Sequence, residues 1–515
     1  MLDYTIFTLV TVIVSLALIW MKHKFSYWKN RKVPTPSLRL FLEHSKMGIL
    51  QQNSYADRDL NMYRYFKDRN HMHGGTYFYH IPVYIPIDLN LIKHILQIDH
   101  QCFQDRGLYV NEKGDPLSAH LFSLGGEKWR TLRKKLTPTF TSGKMRMMFQ
   151  TIQDCTSDLQ KAMIGNIQPE VDVKNLMARF TTDVIGSVAF GIKCNSLENP
   201  KCQFREMAQT VFRTDFLAAL KHSVLYAFPE VMQSLNVKIL SPEASDFFLN
   251  IIKNTVDFRE KNKVFRRDFM QLLIHLKNGG SRLTDAEDKN STENMSITID
   301  EVAAQAFIFF EAGYESSSNT MSFCLYELSC NLHVQERARE EIFRVLDKYG
   351  GVLTYDAVEE MKYLEQVLCE TLRKYPPLSS LYRICTETYQ LPGTDVVLEK
   401  GTRVLIPTYG IHHDPEYYLD PEKFDPDRFG ADRRGAKLDC TFLPFGIGPR
   451  VCIGLRFGKL QTKVGLISLL RHFEFSLSES TTVPLEFDPE SFTLSAKGKL
   501  WLKYKKIDDY SEMNR

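Results

Sequence analysis

The chain opens on an almost wholly apolar run, Tyr4 to Met21, and turns abruptly basic at Lys22, His23, Lys24, Lys29, Arg31 and Lys32. A bilayer-spanning helix takes roughly 17–25 apolar residues, and this run meets that length. Only Asp3 precedes it, so the positive-inside rule places the N-terminus outside the cytosol and the rest of the chain within it. A cleaved signal peptide would carry its positive charge before the apolar run and a small-residue site after it, and neither is present. The expected organisation is an uncleaved transmembrane anchor at 1–21, a basic, proline-rich linker at 22–36 stiffened by Val33-Pro34-Thr35-Pro36, and one large domain over 37–515.

Within that domain the pattern is mostly helical. Thr298-Ile299-Asp300-Glu301 has the form of a capping box and opens a helix running through Phe310, Gly313 and Ser318 to about Cys330. Its centre is apolar on most sides, so it is expected to cross the core. Tyr363 to Tyr375 reads as another helix, stopped by Pro376-Pro377. Strand-like runs occur early, at Gly75 to Tyr79, and late, at Lys499 to Tyr504. Lys277 to Ser296, rich in Gly, Ser, Asn, Asp and Glu, reads as a surface loop. The fold class is therefore mainly α with a minor β portion.

Composition narrows the function classes. Hydrophobic residues at 43% and charged residues at 25% describe a globular chain. A net charge of +3 is too small to argue for nucleic acid. The ten cysteines form no Cys-x-x-Cys pair and no zinc spacing, which fits reduced thiols in a cytosol-facing domain.

The chemistry concentrates in Pro444-Phe445-Gly446-Ile447-Gly448-Pro449-Arg450-Val451-Cys452-Ile453-Gly454. Glycines let backbone turn sharply and approach a large cofactor closely. Arg450 offers a fixed charge to an acidic group, and with nearby backbone N–H groups is expected to favour thiolate over thiol at Cys452. Phe445 can shield the sulfur. The pattern Phe445-x-x-Gly448-x-Arg450-x-Cys452-x-Gly454 resembles the haem-binding signature of the cytochrome P-450 family of haem-thiolate monooxygenases. The resemblance implies a helix-rich triangular prism with a minor β domain, haem b as cofactor, and Cys452 as iron ligand.

Other segments carry the resemblance across nearly the whole chain. Glu370-Thr371-Leu372-Arg373, with Arg428 in Phe424-Asp425-Pro426-Asp427-Arg428-Phe429, is similar to the family's buried Glu-x-x-Arg lock, a structural element. Trp129-Arg130-Thr131-Leu132-Arg133 resembles its Trp-x-x-x-Arg helix. The implied contacts are Trp129 and Arg133 on one haem propionate and Arg450 on the other, with Arg383 a further candidate and Arg106 a weaker one. In Phe309-Phe310-Glu311-Ala312-Gly313-Tyr314-Glu315-Ser316-Ser317-Ser318 the glycine and serines are expected to open the helix. Glu315-Ser316 resembles the family's acid–alcohol pair, which manages protons during dioxygen activation. The family usually has threonine where this chain has Ser316; the hydroxyl is kept and the methyl is lost.

No Gly-x-Gly-x-x-Gly is present, so NADPH is not expected to bind this chain. The resemblance implies electrons from a membrane NADPH-cytochrome reductase, with cytochrome b5 as a further partner. Lys128, Arg130, Lys134 and Lys135 are either a docking patch for it or an ordinary charged helix face. Substrate-lining segments of the family fall on Phe122, Phe212, Phe216, Phe307, Ala312, Leu378, Tyr382 and Leu494, each equally well a core residue. The segment from Phe212 to Phe228 is a candidate for dipping into the membrane surface.

Asp105-Arg106-Gly107, Asp115 to Phe122, and Leu136-Thr137-Pro138-Thr139-Phe140 resemble insect microsomal members. The implied function is an unspecific monooxygenase on the cytosolic face of the endoplasmic reticulum, acting on lipophilic xenobiotics such as plant toxins or insecticides, or on hormones. A haem-thiolate isomerase or a haem sensor are the competing readings. The first has no use for Glu315-Ser316, and the second none for a wide aromatic pocket.

Overall fold

The computed structural model describes residues 2–45, 53–166, 168–212, 216–279, 296–430 and 440–507. Most of the surface loop expected at Lys277–Ser296 lies outside these. An apolar helix, Leu2–Phe25, comes first. Its 24 residues span about 36 Å, and its outward side chains, Phe7 and Leu9 among them, are exposed along its length. It is long and apolar enough to cross a membrane.

The segment expected as a stiff basic linker, 22–36, is in part folded onto the domain. The apolar helix continues through the basic residues to Phe25, and a short helix, Tyr27–Asn30, follows. Trp28 is fully buried. Its ring Nε1 donates to the Thr76 carbonyl at 2.7 Å, and the Pro34 carbonyl accepts from the Gly75 N–H at 2.8 Å. A Cβ at Gly75 would run into the Trp28 ring, so glycine there makes the docking possible. A large indole whose apolar area and N–H are both satisfied binds the chain to the domain more strongly than proline stiffness extends it.

Among the described residues, nine strands form three small sheets: β1 (His73–Phe78), β2 (Ile81–Pro86), β3 (Glu170–Asp172), β4 (Leu381–Ile384), β5 (Tyr389–Gln390), β6 (Val397–Leu398), β7 (Arg403–Ile406), β8 (Phe473–Leu477) and β9 (Trp501–Lys506). Their orders are β1-β2-β7-β4, β3-β9-β8 and β5-β6. All neighbours are antiparallel except β2 and β7. The early and late strands expected from sequence are β1 and β9, each displaced by about two residues.

The centre of the fold is the helix Ile299–Cys330. Its capping box is complete: the Glu301 N–H donates to Thr298 Oγ1 at 3.1 Å, and the Thr298 N–H to Glu301 Oε2 at 2.7 Å. It packs on Val173–Ile185, Leu455–Leu470 and Lys362–Lys374. An aromatic core of Phe190, Phe204, Phe248 and Phe310 lies along one side. The helix Lys362–Lys374 ends where the sequence says it must, just ahead of Pro376.

The docking of Trp28 is testable. Trp28→Ala should cost about 3–5 kcal/mol of local packing. Limited trypsinolysis at Lys29, Arg31 and Lys32 should then become faster than in the wild type, and equal rates would contradict the docking.

Candidate functional site

Cys452 ends a tight loop. Its N–H donates to the Phe445 carbonyl at 2.9 Å, and the Val451 N–H to the Gly448 carbonyl at 3.0 Å. Gly446 and Gly448 have φ of +67° and +74°, and a Cβ at Gly448 would strike the Leu96 carbonyl. Only glycine meets both demands at position 448. The Cys452 side chain is accessible, yet burial raises its thiol pKa. The sulfur therefore faces a recess inside the protein.

Four arginines gather around that recess. Arg450 and Arg383 are buried, at 5% and 4% exposure. Arg450 donates through Nε to the Gln104 carbonyl, through Nη1 to Leu121 O at 3.3 Å and through Nη2 to Leu124 O at 2.8 Å. It stacks 3.8 Å above the Trp129 ring and lies 3.5 Å from Asp105 Oδ1. Arg106 donates to Phe122 O at 3.0 Å and lies 4.2 Å over the Phe122 ring. Arg133 stands one turn beyond Trp129 on the helix Gly126–Leu136. Burial first, then repulsion from neighbouring guanidinium groups, disfavours the charged form of Arg450, Arg383 and Arg106. Burial also disfavours that of Arg133, against the pull of Cys452. Guanidinium groups keep their protons at any working pH. The repulsion is therefore a demand for anionic charge. Among the described residues only Asp105 answers it as a carboxylate in ion-pair range of this group.

The central helix meets this region at Leu121, whose carbonyl accepts from Arg450 and whose N–H donates to Gln305. Between Val302 and Ser329, only Ile308, Glu311, Ala312, Gly313, Glu315 and Ser316 escape burial. Ile308, Glu311, Ala312, Glu315 and Ser316 follow the i, i+3, i+4, i+7, i+8 spacing of one face. Two amides fix that face in place. Gln305 Oε1 accepts from the Leu121 N–H at 2.9 Å, and Gln461 Nε2 donates to the Gly313 carbonyl at 3.2 Å. Burial raises the carboxyls of Glu311 and Glu315 to about 7. For Glu311 the neighbouring Glu315 adds to the rise. For Glu315, Thr493, Lys174 and Ser491 pull the other way. A cavity of about 180 Å³ beside Glu315 is lined by Lys174, Gln209 and Asn319 among others.

The family model for cytochrome P450 matches residues 38–502. The chain is 43% identical to "Probable cytochrome P450 6a14" of Drosophila melanogaster, over 98% of this chain and all of that protein. It is 41% identical to "Cytochrome P450 6A1" of Musca domestica, over 96% of this chain and 97% of that protein.

The chain belongs to the cytochrome P450 family.

P450s are monooxygenases built on thiolate-ligated haem. The residues here fit that group. A dianionic porphyrin with a metal for the sulfur matches a wall of four guanidinium groups facing one cysteine, Arg383 and Arg450 buried and Arg106 and Arg133 half-buried. Metal coordination also resolves the state of Cys452. The charges acting on the sulfur are Arg133 and Arg106, and the Gly454 N–H, rather than Arg450, yet burial outweighs them and favours the thiol. The sequence expectation of a thiolate set by Arg450 is thus corrected; a bound metal deprotonates the thiol outright. Arg450 also ties the cysteine loop to the 104–124 segment through its hydrogen bonds to Gln104, Leu121 and Leu124.

The expected opening of the central helix is also absent. The helix is continuous from Ile299 to Cys330, and Ser316 Oγ donates back to the Ala312 carbonyl at 2.5 Å. Gly313 instead permits close packing, since a Cβ there would sit 2.7 Å from Ile185 Cδ1. Of the proposed substrate contacts, Phe122 is half-buried, as are Leu378 and Tyr382, and Ala312 is open. Phe307 is not on the recess: it is buried against Phe248 and Phe310. Leu494 is buried in a satellite core with Phe323, Tyr375 and Tyr409. The side chains of Phe212 and Phe216 lie outside those described.

Behind the cysteine loop, Glu370 and Arg373 are wholly buried and paired twice, at 2.8 and 2.9 Å. Arg428 Nε reaches Glu370 Oε1 at 3.3 Å. Arg373 also donates to the His412 and Pro421 carbonyls. His412, which no sequence spacing marks, joins this lock to the loop. Its Nδ1 donates to the Arg373 carbonyl at 2.9 Å, and its Nε2 accepts from the Leu443 N–H at 2.8 Å. Burial drives its pKa down, so it stays neutral in that tautomer. Gln305 and Glu311 were also missed; a lone polar residue in an apolar helix was the signal.

His412→Ala strands two buried backbone groups at about 1–3 kcal/mol each. The folded variant should lose haem during gel filtration, read as the haem-to-protein ratio. Full retention would contradict the link.

Proposed function

We propose that this protein is a membrane-anchored monooxygenase that inserts one atom of dioxygen into lipophilic small molecules, with electrons from NADPH delivered by a membrane reductase. The observation that carries the reading is the pairing of the arginine wall around Cys452 with a helix face bearing Glu315 and Ser316. Cys452 is the iron ligand. Arg106, Arg133, Arg383 and Arg450, with Trp129, hold the propionates, and Arg450 also secures the segment beneath them. Bound haem supplies the oxidising chemistry, with the thiolate favouring O–O cleavage.

The chain supplies binding, desolvation and protons. Glu315, raised to about 7, can take and release a proton near neutral pH. Ser491 and Thr493 touch its surroundings from the far side, giving protons a polar approach that avoids the apolar face. The Ser316 hydroxyl donates to the Ala312 carbonyl, which leaves its oxygen free to accept a further hydrogen bond. Phe122, Ala312, Leu378 and Tyr382 offer an apolar surface for substrate.

The helix Gly126–Leu136 supports the electron route. Its inner side carries Trp129 and Arg133, while Lys128, Arg130 and Lys134 are exposed. Lys128 is tied to Glu112 at 2.7 Å, Lys135 to the Ser296 carbonyl at 2.8 Å and Arg130 to Gln104 Oε1 at 2.9 Å, which leaves Lys134 as the freer charge for an acidic reductase or cytochrome b5 surface. The apolar Leu2–Phe25 helix, ending in Lys22, His23 and Lys24, supports an endoplasmic reticulum anchor with the catalytic domain on the cytosolic face. The substrates are lipophilic xenobiotics such as plant toxins or insecticides, with hormones as the alternative.

Incubation with NADPH, reductase and isotope-labelled dioxygen, over a panel of such compounds, should give a product carrying one labelled oxygen atom. Unlabelled products without NADPH consumption would overturn the proposal. Ser316→Ala should raise the NADPH consumed per product formed, and an unchanged ratio would reduce Ser316 to packing.

A further inference from the structure

Glu311 is the one charged side chain of the recess-facing helix face that the proton-handling scheme does not use. It lies one helical turn before Glu315 and next to Ala312, the most open position of the face. No hydrogen bond or ion pair reaches it among the described residues, and only Glu315 acts on it electrostatically. The four arginines stand at the cysteine side, and none of them exerts a pull on it. Its neighbours on the face, Ile308 and Ala312, are apolar. Glu311 is half-buried on an otherwise buried helix and burial raises its carboxyl, so a partly desolvated carboxylate without a partner favours a bound countercharge.

From this geometry we infer that Glu311 is the recognition group for a lipophilic base, pairing with the cationic nitrogen of an amine substrate bound in the apolar recess. The inference rests on the recess being the substrate site of the proposed monooxygenase. A protonated amine brings the missing countercharge and donates to the carboxylate, while its hydrocarbon portion fills the apolar surface. A neutral hydrocarbon of the same shape leaves Glu311 unpaired. A lipophilic acid faces like-charge repulsion from both Glu311 and Glu315. Charge at this position therefore sorts ligands that apolar packing alone treats alike.

Three probes of equal shape separate these cases: N,N-dimethyl-4-phenylbutylamine, its carbon isostere (5-methylhexyl)benzene, and 5-phenylpentanoate. Equilibrium dialysis against the full-length holoenzyme in detergent micelles gives each Kd without turnover. The wild type should bind the amine about ten-fold or more tightly than the isostere, the return expected of a charge-assisted hydrogen bond in a dry site. Glu311→Gln and Glu311→Leu should erase that preference, leave the isostere little changed and improve the carboxylate. Glu311→Asp should keep it. A wild type with no preference, or a preference that survives Glu311→Gln, or equal weakening of all three probes, overturns the inference. The reduced carbon monoxide spectrum of the same preparation separates the two levels. With the thiolate-type absorption present, failure to bind any probe overturns the inference alone. Without that absorption, the proposed function fails and the inference falls with it.

Discussion

Four like charges held together inside a protein are the constraint around which the rest is arranged. Arg106, Arg133, Arg383 and Arg450 repel one another in surroundings that desolvate them, and one carboxylate, Asp105, offsets the group. Such an arrangement is stable only around an anion. The fold brings the four from distant places: the loop before the Trp129 helix, that helix itself, strand β4, and the cysteine loop. Asp105 helps gather them, since its Oδ1 accepts from the Gly126 N–H at 2.8 Å and its carbonyl from the Ile384 N–H at 2.8 Å. The wall is thus one unit spanning nearly 350 residues of sequence.

A second buried network holds the cysteine against that wall. A buried ion pair such as Glu370–Arg373 contributes little net stability against a well-packed apolar alternative. Its value is geometric. Glu370 also accepts from the Asp425 N–H at 3.0 Å, and Arg373 reaches the carbonyls of His412 and Pro421. Through His412 the lock fixes Leu443, the first residue of the turn that ends at Cys452. The glycine loop can then be strained and open to a cofactor while its base is rigid.

Much of this was legible in the sequence. The Phe445 to Gly454 pattern and the Glu-x-x-Arg pair are local, so their spacing carries the geometry directly. The capping box at Thr298 and the proline stop after Tyr375 are local as well. What was not legible depends on contacts between distant segments. Trp28 looked like part of a spacer because its pocket is built from Thr76 and Gly75. Arg106 stood out only as a weaker candidate because its surroundings come from Phe122 and Arg450. The serines after Gly313 suggested an opened helix, but back-bonding by Ser316 and the Gln461 clasp keep it closed. Phe307 and Phe310 are three residues apart in one aromatic run, yet packing against Phe248 from another helix claims both.

The central claim is that this wall and Cys452 together hold a thiolate-ligated haem. The most direct measurement is the absorption spectrum of the reduced carbon monoxide complex, for the full-length wild type and for Cys452→Ala. The account requires the thiolate-type band in the wild type and its complete loss in the variant. A variant that kept that band would place the iron ligand elsewhere and contradict the account.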